Sequence, residues 1–244
     1  MITIKTTRLS VHAEELSVKS FSPLPSELRW QGIYLHGAGQ SNKERGDALC
    51  MRMAERGMHI VSFDFSGSGE STGHSAGSIL KRAHEAGAVI QNYLHSKELP
   101  LAILAFSMSG QVAIELLRTR KNEIACLVLF NPAIYDKRAI DVPFGESFST
   151  IIRRPQSWRK ADIASAFNGY RGKTLLVRSE YDDVIPAEVF VLIHEAARAN
   201  STSDLLVESA SHQLGVYLNE NPRTASVVAD AIASLLDEPQ HGGE

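Results

Sequence analysis

The chain has 244 residues, of which 43% are hydrophobic, so it is long and apolar enough to bury one large core as a single α/β domain. Its 25 lysines and arginines nearly balance its 28 aspartates and glutamates, and no long block of one sign occurs, which makes nucleic acid a poor candidate partner. No apolar run approaches the roughly 20 residues of a membrane span, and we expect no membrane partner. The N-terminus lacks an export-signal pattern, so we expect a cytoplasmic protein.

The two cysteines lie far apart in the sequence. Cys50 falls in a helical pattern and Cys126 falls inside the apolar run Ile124–Phe130. Cytosolic cysteines of this kind are ordinarily reduced. We therefore expect both to be buried packing residues, with no disulfide and no paired metal ligands.

Short apolar runs alternate with helical periods along the chain. Alternating apolar residues near the N-terminus, Ile2 and Ile4 and then Leu16 and Val18, predict edge strands. A capping box at Ser41–Glu44 predicts a helix that reaches Arg56 and ends at Gly57. The further predicted elements, in chain order, are strands at 33–35 and 59–63, a helix at 79–94, a strand at 101–106, a helix at 110–118, strands at 124–130 and 174–178, a helix at 187–198, a strand at 204–208 and a helix at 222–236.

This alternation is typical of an α/β fold with a mostly parallel central sheet and helices on both of its faces. We expect residues 1–244 to form a single domain.

The segment from about 131 to 171 breaks the alternation, because a minimal crossover needs far fewer residues. Its aromatic residues are Tyr135, Phe144, Phe148, Trp158 and Phe167. Its place after a strand predicts a small cap above the carboxyl ends of the strands, where ligands bind in open α/β sheets. Phe148 and Trp158 are the candidate substrate-pocket residues. A structural excursion that only covers the sheet is the alternative.

Three apolar runs end in residues that could act together as a nucleophile, an acid and a base. The first run stops at Ser107, the second leads to Asp182 and the third leads to His212. A serine hydroxyl becomes a good nucleophile when a histidine takes its proton and a carboxylate orients that histidine. A helix N-cap is the alternative role for Ser107, although Ser109 is better placed for it.

The surroundings of the serine resemble the α/β-hydrolase fold family over about residues 30–236. The family's nucleophile elbow is G-x-S-x-G; here Ala105 and Ser109 replace both glycines, which suggests a more crowded turn. The His36-Gly-Ala-Gly segment is similar to the family's oxyanion loop. The resemblance implies that Ser107 is the nucleophile and that the backbone N–H groups of Ala38 and Met108 form the oxyanion hole. An ordinary glycine turn remains the local alternative for this loop.

The acid and a supporting loop resemble the same family. Its acid motif, G-x-x-D-x-x-[VI]-P, is matched with serine in place of glycine, and the register set by Pro186 selects Asp182 over Asp183. His212 then follows as the base. A D-x-x-G-x-G-x-S segment starts at Asp64, and the resemblance implies a structural role there, with Asp64 bonded to backbone.

Small cinnamoyl (feruloyl) esterases and serine aminopeptidase-like hydrolases are the branches that the chain resembles most. The resemblance implies a serine hydrolase that cleaves a small to medium, partly apolar carboxylic ester through a Ser-His-Asp triad and an acyl-enzyme, without metal or organic cofactor. Its partner would be a small-molecule ester or thioester. A thioesterase or acyltransferase, and a ligand-binding protein of very low turnover, are the alternatives.

The insertion also carries four basic residues, which either bind an anionic group or form a solvated face. They are Arg153, Arg154, Arg159 and Lys160.

Overall fold

The computed structural model describes residues 1–198 and 201–239. The strands of this part of the chain are β1 (Thr3–Val11), β2 (Glu14–Ser22), β3 (Trp30–Leu35), β4 (Met58–Phe63), β5 (Leu101–Phe106), β6 (Ile124–Phe130), β7 (Lys173–Tyr181) and β8 (Thr202–Ser211). Its α-helices are α1 (Asp47–Glu55), α2 (Ile79–Tyr93), α3 (Ser109–Arg120), α4 (Glu146–Ile152), α5 (Ala164–Phe167), α6 (Ala187–Ala197), α7 (Leu214–Glu220) and α8 (Pro222–Asp237).

The described strands form one twisted sheet in the order β1-β2-β4-β3-β5-β6-β7-β8. The strands from β3 to β8 are parallel to one another, and β2 is antiparallel to both of its neighbours. β1 lies at the edge of the sheet. The predicted fold class, a mostly parallel α/β sheet, is confirmed.

Helices cover both faces of the sheet, which is why the central strands are continuously apolar. On β5, Ile103 and Ala105 pack on the face covered by α2, α3 and α6. The alternate residues Leu104 and Phe106 pack on the opposite face, against α1, α7 and α8. The whole of β5 is buried as a result, and its carboxyl end lies in the middle of the sheet.

The predicted capping box at Ser41–Glu44 is wrong. A 3₁₀ turn spans Lys43–Gly46, and α1 begins only at Asp47. The backbone N–H of Lys43 donates to Asp64 Oδ1 at 2.7 Å, and its Nζ lies 2.7 Å from Asp64 Oδ2. This buried pairing takes the place of a helix cap and ties the start of the segment to the loop after β4. Asp64 also accepts the backbone N–H of Glu70, so the predicted bonding of Asp64 to backbone is confirmed.

Residues 131–171 leave the sheet after β6 and contain only short helices, among them α4 and α5. We call this segment the cap. It is fastened to the start of α2 by two backbone hydrogen bonds, Phe144 N–H to Gly77 O at 2.7 Å and Leu80 N–H to Ile140 O at 3.0 Å. Its aromatic side chains pack on one another, with the Phe148 ring 5.0 Å from that of Phe144 and 5.6 Å from that of Tyr135.

Cys50 and Cys126 are both free and buried in the core, as the sequence predicts. Among the described residues, none of the helices has the length and apolar character needed to cross a membrane.

Candidate active site

Ser107 lies on a strained turn between β5 and α3. Its backbone has φ +51°, the left-handed region that costs a residue with a side chain about 1–2 kcal/mol. The turn is held on both sides of the residue. The N–H of Ser107 donates to Phe130 O at 2.9 Å, and its carbonyl accepts from the N–H groups of Gly110 and Ala133 at 2.8 and 2.9 Å. These bonds fix the backbone of Ser107 at the end of β5.

The hydroxyl of Ser107 stands at one end of a continuous hydrogen-bonded chain. Ser107 Oγ is 3.0 Å from His212 Nε2, and His212 Nδ1 is 3.0 and 2.9 Å from the two carboxylate oxygens of Asp182. An ionised carboxylate only accepts hydrogen bonds, so Nδ1 carries the proton and Nε2 is left to accept from the serine hydroxyl. The structure thus brings together the three side chains that the sequence singles out.

Asp182 is held in place by its own backbone surroundings. The N–H groups of Val184 and Ile185 donate to its Oδ1 at 2.8 and 3.0 Å, and its side chain is only 6% exposed. Burial by itself would raise the pKa of Asp182, but the hydrogen bonds from His212 and from these two N–H groups outweigh it and lower the pKa. Asp182 is therefore ionised at neutral pH, whereas the neighbouring Asp183 faces solvent.

The loop after β3 lies directly against the serine. A Cβ placed on Gly37 would come within 3.3 Å of Ser107 Cβ, so a larger residue here would have to displace its neighbour by a few tenths of an ångström. Within the described chain, the backbone N–H groups of Ala38 and Met108 donate to no other group, and both residues line the cavity beside Ser107. The hydroxyl of Ser109 donates to His36 O at 2.5 Å, so the serine that replaces the family's glycine ties this loop to α3.

A cavity of about 800 Å³ opens beside Ser107 and His212. The cap contributes Tyr135, Ile152 and Trp158 to its wall. A larger groove of about 970 Å³ lies at the other end of the sheet, where the central strands begin, and contains neither Ser107 nor His212. The hydrogen-bonded side chains, and not the volume, select the first cavity as the candidate site.

Phe148 does not line this cavity, which corrects one of the two predicted pocket residues. It is 4% exposed and packs behind Tyr135, whose ring forms the cavity wall. The aromatic residues in the sequence identify the cap. They do not show which aromatic side chains line the cavity and which pack behind those that do. Trp158, the other predicted pocket residue, does line the cavity.

Of the four basic cap residues, the cavity wall includes Arg153. Arg159 lies over the Trp158 ring, 4.9 Å from its centroid. Arg45, from the turn before α1, is a second cation of the wall. None of the described residues that line the cavity is acidic.

Residues 27–185 match the model of a protein family described as serine aminopeptidase, S33, which is well over half of the chain. The chain belongs to this family. The match includes the His36 loop, Ser107 and Asp182 and ends before His212. No curated protein gives a significant match to the sequence.

Solved structures of the same fold cover almost the whole of this α/β hydrolase. Est1E from Butyrivibrio proteoclasticus superposes with a TM-score of 0.70 at 13% identity, covering 96% of this chain and 99% of its own. A predicted CIB-like hydrolase from Thermoplasma acidophilum has a TM-score of 0.69 at 14% identity, covering 96% and 100%. The thioesterase domain from the curacin biosynthetic pathway has a TM-score of 0.65 at 16% identity, covering 96% and 99%. At these identities the likeness establishes the fold.

Asn131 is a site residue of this hydrolase that sequence reasoning missed. It follows β6 as Ser107 follows β5, and it too has a left-handed backbone, with φ +41°. Its Nδ2 donates to Ser179 Oγ at 2.7 Å and to His212 O at 3.3 Å, and its Oδ1 accepts the N–H of Ser179 at 2.9 Å. Asn131 thereby joins the end of β7 to the loop that carries His212. The available signal was a polar residue directly after an apolar run.

We predict that Asn131→Gly and Asn131→Ala both lower the free energy of unfolding, by about 1–3 kcal/mol, because each leaves buried groups of Ser179 without a partner. Alanine should be worse than glycine by about 1 kcal/mol, since it tolerates the left-handed backbone less well. Urea denaturation measures both differences. Equal losses would contradict the argument from strain, and no loss in either variant would contradict the anchoring role.

Proposed function

We propose that this hydrolase is a serine esterase of the carboxylesterase type. Its substrate is a carboxylic ester with a small to medium, partly apolar acyl group. The observation that carries the proposal is the continuous chain of hydrogen bonds from Ser107 Oγ through His212 to Asp182, at the wall of an open cavity. A serine that served only as a helix cap would need neither the histidine nor the buried carboxylate.

Acylation follows from the positions of the protons. Ser107 Oγ attacks the ester carbonyl carbon while its proton passes to His212 Nε2. The charge that develops on the carbonyl oxygen is taken up by the free N–H groups of Ala38 and Met108. The imidazolium of His212, stabilised by ionised Asp182, then protonates the alcohol oxygen as the C–O bond breaks, and the acyl group remains on Ser107.

Deacylation uses the same groups in reverse. Water gives a proton to His212 Nε2 as its oxygen attacks the acyl carbonyl, and the second oxyanion occupies the same hole. Collapse of this intermediate returns the proton from His212 to Ser107 Oγ and releases the carboxylic acid. One water is consumed for each ester cleaved, and the chain's own residues carry every proton transfer.

The cavity wall supports a partly apolar acyl group. Apolar surface comes from Ile134, Ile152, Trp158 and Val189, close to the oxyanion loop. One neighbour of the fold, Est1E, has been solved with ferulic acid bound, at 15% identity and a TM-score of 0.70. An aromatic acid of that kind belongs to the class of acyl groups that such a wall would favour.

A thioester substrate is the second candidate, and the charge of the cavity favours it. Arg45 and Arg153 line the wall and no described acidic residue does, which suits the anionic carrier groups of many thioesters. The ratio of kcat/KM for matched oxyesters and thioesters distinguishes the two candidates. Steady-state turnover with excess substrate separates both from a ligand-binding protein that barely turns over.

The first test concerns the nucleophile. A fluorophosphonate probe should label the wild-type protein once, and Ser107→Ala should abolish the label, because the probe reacts with a serine that a histidine activates. Ser157→Ala is the matched control: it is another serine of the cavity wall, its hydroxyl donates to Ile152 O, and its loss should leave the label in place. A label that persists in Ser107→Ala, read by intact-protein mass, would overturn the assignment.

The second test concerns the acid. Asp182→Asn should lower kcat on the order of 10⁴-fold, because the amide favours the wrong histidine tautomer. Asp183→Asn makes the same chemical change one residue away, at an exposed side chain, and should be nearly neutral. Ester hydrolysis kinetics give both values. A reversal of the two effects would show that the acid is Asp183.

The third test separates the cavity wall from the layer behind it. Trp158→Ala should change the preferred acyl length in a panel of p-nitrophenyl esters by about tenfold or more, since one methylene of pocket contact is worth roughly 1–3 kcal/mol. Phe148→Ala should lower stability and reduce turnover of all esters alike, because Phe148 lies behind Tyr135. If Trp158→Ala lowers every ester by one common factor, Trp158 does not set selectivity.

A further inference from the structure

Arg82 on α2 is a buried cation that forms no ion pair with a described carboxylate. It is 7% exposed. The described acidic residue that acts on its charge is Glu85, also on α2, and this carboxylate lies beyond ion-pair distance. Its guanidinium lies between two aromatic rings, 4.6 Å from the centroid of Phe65 and 5.1 Å from that of Phe144. Cation–π contacts offset part of the cost of burying this charge. Burial lowers the pKa of Arg82 to about 10, so the side chain stays charged at neutral pH.

The hydrogen-bonding groups of Arg82 point at the two segments that flank Ser107. Its Nη1 donates to Gly37 O at 3.3 Å and lies 3.6 Å from Met108 Sδ. One guanidinium therefore contacts both the loop that carries Ala38 and the residue that follows the nucleophile. Both contacts join α2 to other parts of the fold, because Gly37 follows β3 and Met108 precedes α3.

A second donor reaches the same carbonyl. His36 Nε2 accepts the backbone N–H of Phe65 at 3.2 Å, so the proton of the ring must be on Nδ1. That Nδ1–H donates to Gly37 O at 2.9 Å. Burial, and after it the charge of Arg82, lower the pKa of His36 to about 3, so the ring stays neutral and keeps this tautomer. Gly37 O thus accepts from one neutral and one charged donor.

The Gly37 carbonyl and the Ala38 N–H belong to one peptide unit. A trans peptide is planar and its C=O and N–H point in opposite directions. Holding the carbonyl towards Arg82, in the core, therefore holds the Ala38 N–H away from the core, on the side of the cavity. A cation on the carbonyl also draws electron density through the peptide and makes its N–H a stronger donor.

We propose that Arg82 is a positioning residue for the oxyanion hole. Through Gly37 O and Met108 Sδ it fixes the orientation of the peptide that presents the Ala38 N–H, and its charge strengthens that donor. This inference rests on the proposed function, because an oxyanion forms there only if Ser107 attacks a carbonyl. Arg82 touches no substrate atom and transfers no proton.

The test compares Arg82→Met, which removes the charge and the donor, with Arg82→Lys, which retains both without the planar fork. Removal of one oxyanion-hole donor lowers kcat by about 10²–10³-fold. A donor that is present but less well oriented should lower kcat by less, about 10- to 100-fold. We expect Arg82→Met to slow fluorophosphonate labelling and to lower kcat for p-nitrophenyl acetate by that factor, with KM changed by less than about twofold. Arg82→Lys should recover part of both rates. Affinity for a trifluoromethyl ketone should fall in parallel with kcat/KM.

The matched control is Arg120→Met, which removes an arginine of α3 that donates to Gly87 O of α2, far from the cavity wall. It should label at the wild-type rate. If Arg82→Met does not fold, Arg82→Gln, which is neutral and shorter than arginine, takes its place in every comparison. Wild-type protein that is never labelled at Ser107 would refute the proposed function. Labelled wild-type protein with an equally fast Arg82→Met, or a variant whose KM rises as much as its kcat falls, would overturn the role of Arg82 alone.

Discussion

The site depends on a left-handed backbone at the ends of two adjacent parallel strands. Ser107 follows β5 and Asn131 follows β6, and the left-handed backbone costs about 1–2 kcal/mol at the serine and less at the asparagine, which adopts it more readily. The residues before them, Phe106 and Phe130, stack in parallel with ring centroids 4.0 Å apart, which fixes the two strand ends against each other. The next two strands, β7 and β8, run in the same direction. Asp182 and His212, which follow them, therefore lie at the same end of the sheet as Ser107. The strained backbone of Ser107 thus holds its hydroxyl within hydrogen-bonding distance of His212.

The loop after β3 is positioned by the hydrogen bonds that its backbone carbonyl groups accept. His36 O accepts from the hydroxyl of Ser109, and Gly37 O accepts from His36 Nδ1 and from Arg82. Each carbonyl shares a rigid plane with the following N–H, so these contacts fix the direction of the N–H groups without touching them. The serine at 109, which departs from the family's glycine, strengthens this arrangement instead of only crowding the turn.

Sequence reasoning succeeded where burial on both faces leaves an uninterrupted apolar run. Strands 101–106 and 124–130 were predicted with the bounds that the structure has, because a polar residue ends each run. It failed where a tertiary contact decides the local structure. Lys43 pairs with Asp64 and replaces the predicted cap, and Phe148 faces the interior of the cap. Arg82 lies in a regular helical period, where a basic residue is typical of a solvated face, and only the packing of Phe65 and Phe144 shows that it is buried.

The same packing connects the cap to the chemistry. Phe65 belongs to the loop after β4 and Phe144 belongs to the cap, so the two rings that enclose Arg82 come from separate parts of the fold. Phe144 is also fastened to Gly77 just before α2, which keeps its ring against the guanidinium. The cap therefore has two surfaces with different constraints. Trp158 faces the cavity, whereas Phe144 faces Arg82, whose guanidinium donates to the carbonyl of the Gly37–Ala38 peptide. Under the proposed function, a substitution at Trp158 acts on the fit of the acyl group, and one at Phe144 acts on the support of the Gly37–Ala38 peptide.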